Sequence, residues 1–249
     1  MAAPRFYAPL SLVRGDVGRE IELPDALAHH AVRVLRLVAG DAITLFTGAG
    51  GEFAATIARI DKHGAVARLV GFDPVERESP LILTLAQAVA ANDAMDFAVR
   101  KAVELGAAAI VPVVTARSAP LPAGERGQRR LAHWRQIAIA ACEQCGRNRV
   151  PEVAAPIPLS AWLAGWGGGG IVLDREAGKP LVRIDMANER FAALIGPEGG
   201  LTGREIADAK ERGFAAVRLG PRVLRTETAG VAVLAVLQSL AGDFMGSDT

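Results

Sequence analysis

The 249-residue sequence has few cysteines, no long apolar run and almost no net charge, and each shortage excludes a class of protein. Its two cysteines, Cys142 and Cys145, are too few for a disulfide framework. Only His133 lies near them in sequence, so a zinc site lacks ligands and no metal is expected. The most apolar segment, residues 229–237, is shorter than the roughly 20 residues that span a bilayer.

The charge balance excludes a protein that binds nucleic acid through gross positive charge. Lys and Arg number 28 against 27 Asp and Glu, which gives a formal net charge of +1. Any nucleic-acid partner must therefore bind to a local basic patch. Arg outnumbers Lys by 24 to 4, which reflects either a GC-rich genome or the use of Arg to bind phosphates and stack on bases.

The remaining composition is that of an ordinary globular protein. Hydrophobic residues make up 51% and charged residues 22%, which excludes disorder for most of the chain. The N-terminus lacks a basic region followed by an apolar run, so no signal peptide is expected. These features predict a soluble cytoplasmic protein without a membrane partner.

The first 72 residues are rich in β-forming segments separated by glycine-containing turns. A short helix over 25–34 precedes predicted strands at 41–47, 52–60 and 65–72, a pattern typical of a meander or small barrel. Residues 73–80 are polar with a proline near each end, which predicts a linker.

From Leu81 onward, predicted strands alternate with predicted helices, which indicates an α/β domain with a mostly parallel sheet. The residues 165–170, Gly-Trp-Gly-Gly-Gly-Gly, are predicted as a flexible loop. The cysteines fall on or beside the apolar stripe of a long helix and are interpreted as small core residues. The predicted strands are 81–86, 109–114, 170–174, 191–195 and 214–219, and the predicted helices begin near 93, 128, 202 and 226.

Three strand ends carry unusual residues, at 173–178, 195–202 and 219–229. Ligands bind at the carboxyl ends of strands in parallel α/β sheets, so these segments are the candidate site. The second is rich in glycine but contains Glu198, which favours a neutral or cationic ligand group over a phosphate. The alternative for this segment is a plain turn followed by a capping box, Thr202 to Glu205.

The third segment places charged residues directly before an apolar helix. Arg222 and Arg225 lie three residues apart, and Glu227 follows in the first helical turn. The alternative is a solvated helix start in which Glu227 interacts favourably with the helix dipole. A further basic cluster lies in 124–150, where six arginines accompany two glutamates, and it is either a phosphate-facing patch or an exposed helix face.

The segments Ile-Gly-Pro-Glu-Gly-Gly-Leu-Thr at 195–202 and Leu-Gly-Pro-Arg-Val-Leu-Arg-Thr-Glu-Thr-Ala at 219–229 resemble the closing motifs of the RsmE-type methyltransferases of the SPOUT class. The resemblance covers essentially the whole chain. One departure is the Ala-Asn pair at 91–92, where the family usually carries Lys and Gly, although Asp93 and Asp96 are kept. The other similar segments are 5–7, 29–36, 40–41, 97–106 and 134–152.

The resemblance implies a PUA-like RNA-binding β-barrel over 1–72, a linker over 73–80 and a SPOUT α/β domain over 81–249. The second domain would contain a knotted parallel sheet with helices on both faces, and a homodimer would form through it. The implied activity is S-adenosylmethionine-dependent methylation of N3 of a uridine in 16S ribosomal RNA of the small subunit. A non-catalytic rRNA-binding or ribosome-assembly factor, or a methyltransferase acting on another RNA position, stays open as an alternative.

The segments that carry the resemblance and the three strand ends contain the candidate site residues. Arg225 is expected to stabilise the developing uracil oxyanion or bind a phosphate, and Glu198 or Glu227 to accept the N3 proton. The expected RNA contacts are Arg5, Arg33, Arg36, Arg147 and Arg149. The expected cofactor-binding residues are Leu173, Gly196, Pro197, Glu198, Gly199, Gly200, Leu201, Leu219, Gly220, Val223, Leu224 and Thr226.

Overall fold

The computed structural model describes residues 3–62, 64–122, 124–186 and 190–245, and the contacts divide the chain into two units. The first unit comprises residues 1–78 and 142–150, and the second comprises 79–141 and 151–249. The sequence analysis places 142–150 within the second domain, whereas the contacts group this segment with the first unit.

The first unit is built on a five-stranded sheet in the order β1-β3-β4-β5-β2. Its strands pair antiparallel except for β1 and β3, which are parallel. Helix α1, Asp25–His29, continues as a π-helical turn over His30–Val34. The strands are β1 Arg5–Tyr7, β2 Glu20–Glu22, β3 Ala42–Phe46, β4 Glu52–Asp61 and β5 Gly64–Asp73.

Alternate residues of the two long strands form the core of this unit. Phe53, Ala55 and Ile57 of β4 are buried, as are Ala67 and Leu69 of β5, because successive side chains point to opposite faces of a sheet. The predicted strands correspond to β3, β4 and β5. Strands β1 and β2 were missed because three residues are too few to show an alternating pattern.

A cluster of charged and polar side chains holds the segment 142–150 within the first unit. Arg5 forms an ion pair with Glu52 and donates to Oδ1 of Asn148 at 2.8 Å. Arg147 donates to both carboxylate oxygens of Glu78. Because these groups come from distant parts of the sequence, the pairing explains why 142–150 belongs to this unit.

Glu52 is a carboxylate of this cluster whose pKa is lowered in the folded protein. Burial raises the pKa of Glu52, but its hydrogen bond and charge interaction with Arg5, together with Asn148 and Arg77, outweigh burial and hold the pKa below 4.5. The ionised form is therefore favoured by folding.

Acid is expected to weaken the first unit through Glu52. Because the folded pKa lies below the unfolded one, this stabilisation is full above about pH 4.5 and is lost as the pH falls through the folded pKa. Thermal melts between neutral and acid pH should show a smaller acid-induced loss for Glu52→Gln than for the wild type. Glu22→Gln, at an exposed carboxyl on β2, is the control. Equal losses in Glu52→Gln and wild type would contradict this account.

The second unit is built on a seven-stranded sheet in which every described pairing is parallel. The strand order is β12-β10-β11-β6-β7-β8, with β9 also paired to β7. The first strand of the unit thus lies in the middle of the sheet. The strands are β6 Ile82–Ala88, β7 Ala109–Val114, β8 Glu152–Val153, β9 Ile157–Pro158, β10 Gly169–Leu173, β11 Arg190–Ile195 and β12 Phe214–Val217.

Helices cover both faces of this sheet. Helices α2 and α6 contact each other, and α6 lies on β6 and β11, while α4 and α5 contact each other and lie on β7 and β10. None of the helices in the described ranges has the length and apolar composition that crossing a membrane requires. The helices are α2 Asn92–Glu104, α3 Gly124–Cys145, α4 Leu159–Gly165, α5 Gly203–Glu211 and α6 Thr226–Ala241.

The helix predicted at 128–145 corresponds to α3, which begins earlier than predicted, at Gly124. Its first residues, Gly-Glu-Arg-Gly, have no apolar spacing from which a helix could be recognised.

Near the other end of α3, Cys142 is fully buried, and burial raises the pKa of its thiol to about 12. Within the described ranges, no group of three or more His, Cys, Asp or Glu side chains could hold a metal ion.

Within the segment 165–170, which is predicted as a loop, Gly168 and Gly170 lie close to neighbouring atoms. Strand β10 begins within this segment, and a Cβ on Gly170 would lie 2.4 Å from the Phe214 ring. A Cβ on Gly168 would lie 2.7 Å from the carbonyl oxygen of Arg190. Glycine is therefore required here by neighbouring atoms.

Candidate functional site

A large cavity of the second unit opens at the carboxyl edge of its parallel sheet. It has a volume of about 1150 Å³. Its lining comes from the segments that follow β6, β7, β10, β11 and β12, as expected for ligand sites in parallel α/β sheets.

Every catalytic and cofactor-binding residue expected from the sequence lines this one cavity. The three strand ends singled out in the sequence therefore meet in space, although the roles assigned to the individual residues remain proposals. The residues brought together are Leu173, Gly196, Pro197, Glu198, Gly199, Gly200, Leu201, Leu219, Gly220, Val223, Leu224, Arg225, Thr226 and Glu227.

The glycine-rich turn after β11 places main chain at the cavity wall. Gly200 has a φ of +70°, and its N–H donates to the carbonyl of Pro197 at 2.8 Å. A Cβ on Gly196 would lie 3.0 Å from the backbone nitrogen of Leu201. The tight turn therefore depends on glycine, and it leaves backbone groups close to any ligand in the cavity.

The turn ends in the predicted capping box, which the structure confirms. Glu205 N–H donates to the Thr202 hydroxyl at 3.2 Å, and Thr202 N–H donates to the Glu205 carboxylate at 2.7 Å. The capping box fixes the start of α5 and hence the far end of the turn.

Glu198 is exposed at the cavity and also caps a helix. Its Oε1 accepts a hydrogen bond from the backbone N–H of Ala91, the residue directly before α2, at 3.1 Å. A carboxylate at a helix N-terminus is favoured by the unpaired N–H groups and the helix dipole. This hydrogen bond gives Glu198 a structural role, and either Glu198 or Glu227 stays open as the proton acceptor.

The segment after β12 leads into α6 through Arg225. Arg225 has an extended backbone at the N-cap position, and its exposed side chain lines the cavity. Glu227 lies in the first turn of α6 and also lines the cavity. The hydroxyl of Thr226 donates to the carbonyl of Gly196 at 2.5 Å. This hydrogen bond links the start of α6 to the glycine-rich turn after β11.

The sequence analysis missed Arg117. It follows β7, lines the cavity, and donates from Nη1 to the carbonyl of Gly199 at 2.8 Å. Its signal was its position just beyond the end of a predicted parallel strand, the criterion that identified the other three segments. Other lining residues outside the expected set include Ala91, Asp93, Ala94, Asp174, Arg175, Glu176 and Arg222.

Three of the five expected RNA-contacting arginines are exposed in the first unit. Arg33 and Arg36 lie in and just after the π-helical turn, and Arg36 has a φ of +56°. Arg149 has a side chain 55% exposed, 3.4 Å from Glu76. These three guanidinium groups are accessible to a ligand.

The other two, Arg5 and Arg147, are held inside the unit, which corrects the expectation that they contact RNA. Their side chains are 16% and 4% exposed. Each is paired with a carboxylate, Glu52 for Arg5 and Glu78 for Arg147. Because their donors are engaged by these half-buried carboxylates, we interpret their role as holding the fold together.

Several arginines on the exposed part of α3 are also engaged with neighbours. Arg130 lies over the Trp134 ring at 5.2 Å, and Arg129 forms an ion pair with Glu125. Arg135 donates to the carbonyl of Val153 at 3.1 Å. The basic cluster at 124–150 is thus divided between the two units and is partly used for packing.

Family profiles match both parts of the chain. A profile described as an RNA methyltransferase domain matches residues 77–238, and one described as an RNA methyltransferase PUA domain matches residues 23–70. Together with the parallel sheet covered by helices, these matches confirm the expected α/β fold class and the N-terminal PUA domain.

Proteins of known name and structure are similar over nearly the whole chain. Ribosomal RNA small subunit methyltransferase E of Buchnera aphidicola (subsp. Schizaphis graminum) is 31% identical over 242 residues, which cover 96% of this chain and 97% of that protein. The crystal structure of the methyltransferase of that name from Neisseria gonorrhoeae, bound to S-adenosyl methionine, has a TM-score of 0.90 and 40% identity and covers 98% of this chain and 100% of that one. A Legionella pneumophila protein solved with the cofactor SAM has a TM-score of 0.90 and 36% identity and also covers 98% of this chain and 100% of that one.

Proposed function

The chain belongs to the RNA methyltransferase family that includes ribosomal RNA small subunit methyltransferase E, and we propose that it methylates N3 of a uridine in 16S ribosomal RNA with S-adenosylmethionine as methyl donor. The observation that carries this proposal is the convergence of all its expected cofactor and catalytic residues on one cavity. The cavity is large enough for a cofactor together with part of a nucleotide.

The cavity lining contains apolar, backbone and charged groups of the kinds that S-adenosylmethionine would contact. Leucine side chains at 173, 201, 219 and 224 offer apolar surface for an adenine, and the glycine turns offer backbone donors and acceptors. Carboxylates at 93, 174, 176, 198 and 227 line the same space, which suits a cationic sulfonium. When bound, this cofactor supplies an electrophilic methyl group.

The role of the protein is to position the uracil and manage its proton. N3 of uridine becomes nucleophilic when its proton leaves, and the resulting charge is shared with the flanking carbonyl oxygens. Arg225 at the cavity is suited to stabilise that charge through its guanidinium donors. Glu198 or Glu227 receives the proton, either directly or through water.

The remaining parts of the proposal concern RNA binding and assembly. Arg33, Arg36 and Arg149 are proposed to contact RNA phosphates, because their guanidinium groups are exposed. A SPOUT-type knot in the second domain, dimerisation through that domain and a cytoplasmic location follow from the resemblance. The domain boundaries 1–72, 73–80 and 81–249 are proposed with the change that 142–150 belongs to the first unit.

Calorimetry with S-adenosylmethionine tests the proposal against the alternative of a non-catalytic RNA-binding factor. The wild-type protein is expected to bind the cofactor, while a charged residue in the tight turn, Gly196→Asp, is expected to prevent binding because its Cβ would lie 3.0 Å from the backbone nitrogen of Leu201 and would displace the turn. Absence of binding by the folded wild-type protein would favour the RNA-binding factor.

The unusual backbone of Arg36 leads to a prediction for RNA binding. A positive φ is unfavourable for Arg, so Arg36→Gly is expected to stabilise the first unit by about 1 kcal/mol. The same change removes an RNA contact and is expected to weaken binding to a 16S rRNA fragment about fivefold to tenfold.

Arg33→Gly is the matched control, because Arg33 lies in a π-helical turn where glycine destabilises. It should lower both stability and RNA affinity. Denaturant unfolding and filter binding measure the two effects. If Arg36→Gly lowered stability or left RNA affinity unchanged, the functional interpretation of this strained residue would be wrong.

A further inference from the structure

A buried hydrogen-bond relay connects β6, the central strand of the second unit, to the start of α6 and to the glycine-rich turn after β11. Gln87, near the end of β6, is 1% exposed and does not line the cavity. Its Nε2 donates to the Thr226 hydroxyl at 2.8 Å, and that hydroxyl donates to the carbonyl of Gly196 at 2.5 Å. The relay therefore begins in the sheet and ends at the first residue of the glycine-rich turn.

The chemistry of the amide fixes the direction of this relay. An amide nitrogen can only donate, so the Thr226 oxygen accepts from Gln87 and its own hydrogen is left to point at Gly196. The same Nε2 also donates to the carbonyl of Ala88 at 3.2 Å, which anchors the amide to its own strand. The hydroxyl of Thr226 is thereby occupied on both sides.

The space around the amide is as restricted as its hydrogen bonds. A Cβ on Gly230 of α6 would lie 3.1 Å from Oε1 of Gln87, so glycine lets the helix approach the side chain closely. Oε1 has no hydrogen-bond partner among the described residues. A side chain held this closely has little freedom to reorient.

We propose that Gln87 is a positioning residue that sets the separation of the two cavity segments, 196–201 and 219–225, by orienting the hydroxyl of Thr226. This inference rests on the proposed function, since those segments are the proposed cofactor site. It also reassigns Thr226, whose hydroxyl holds the Gly196 carbonyl in place and does not contact the cofactor. Gln87 acts through Thr226 and touches neither cofactor nor RNA.

Gln87→Met and Thr226→Val test the proposal by calorimetry with S-adenosylmethionine. Each removes one link of the relay, and each is expected to raise the Kd for the cofactor about tenfold, as loss of a buried hydrogen bond would. Thr226→Ser keeps the hydroxyl and should recover most of the lost affinity. KM for RNA should change less than twofold.

Gln238→Met, on the same helix as Thr226, is the matched control for Gln87→Met. Gln238 is also a fully buried amide, with Nε2 donating to the carbonyl of Leu105 at 2.8 Å and Oε1 accepting from Ser79. It lies twelve residues beyond Thr226, about 18 Å along the helix, so its loss should lower the melting temperature without changing the cofactor Kd.

The combined variant Gln87→Met/Thr226→Val completes the test. Because the two residues act in series, the double change should raise Kd no further than the larger single change. Additive effects, an unchanged Kd in the single variants, or an equal rise in Kd for Gln238→Met would each overturn the proposal. Failure of the wild-type protein to bind cofactor would instead refute the proposed function, so the two failures are distinguishable.

Discussion

Replacing Arg225 by Ala is expected to lower kcat for uridine methylation by about 10²-fold to 10³-fold, the loss typical of removing one donor to a developing oxyanion. Arg225 lines the cavity at the start of α6, where its backbone is extended and its side chain is exposed. The charge that forms on the uracil oxygens when N3 loses its proton would then lose its guanidinium partner. Single-turnover assays with small-subunit RNA measure the rate directly.

The matched control for this prediction is Arg222→Ala. Arg222 belongs to the same segment and also lines the cavity, but it lies three residues before Arg225, the N-cap residue of α6. It should reduce the rate far less than Arg225→Ala, and both variants should bind S-adenosylmethionine close to wild-type affinity. Arg225→Lys should recover part of the rate, because it restores the charge but not the planar donor pair. A normal rate in Arg225→Ala would remove Arg225 from the mechanism.

The second large effect is expected from Arg147→Met, which should destabilise the first unit by about 3 kcal/mol, near the lower end of what breaking a buried ion pair costs. The Arg147 side chain is 4% exposed and donates to both oxygens of Glu78. Although burial lowers the pKa of Arg147, its hydrogen bond to Glu78 and the charge of that carboxylate outweigh burial and raise the pKa. Removing the guanidinium leaves the carboxylate without its partner. Denaturant unfolding followed by circular dichroism gives the free energy of unfolding.

Two further variants separate loss of the ion pair from loss of RNA contacts. Arg147→Met/Glu78→Leu removes both charges and should recover part of the stability, because no unpaired carboxylate remains. Arg149→Ala changes the exposed neighbour and should lower RNA affinity with little change in stability. If Arg147→Met left stability unchanged and weakened only RNA binding, the structural role assigned to Arg147 would be wrong.

The cavity could be anticipated from sequence because its determinants are local. Each expected segment directly follows a strand that an apolar run or glycine turn makes recognisable, and parallel sheets bring such ends together. The capping box from Thr202 to Glu205 likewise depends on residues only three apart. Arg117 satisfied the same rule after β7, so its omission was an error of application.

The charged partners could not be anticipated because their contacts are long-range. Arg5 and Glu52 are separated by 47 residues, and Arg147 and Glu78 by 69. In sequence these arginines do not differ from Arg33 or Arg149, so charge alone gave all of them the same expected role. The positive φ of Arg36 has no local signal either, since that conformation is ordinarily marked by glycine.

The central claim is tested most directly by nucleoside mass spectrometry of small-subunit RNA methylated in vitro. RNA from a strain lacking this gene is incubated with the purified protein and S-adenosylmethionine carrying an isotopically labelled methyl group. Labelled 3-methyluridine is expected at a single position in 16S rRNA, with little product from Arg225→Ala. A labelled methyl group on any other nucleoside, or no transfer by wild-type protein that binds the cofactor, would contradict the proposed activity.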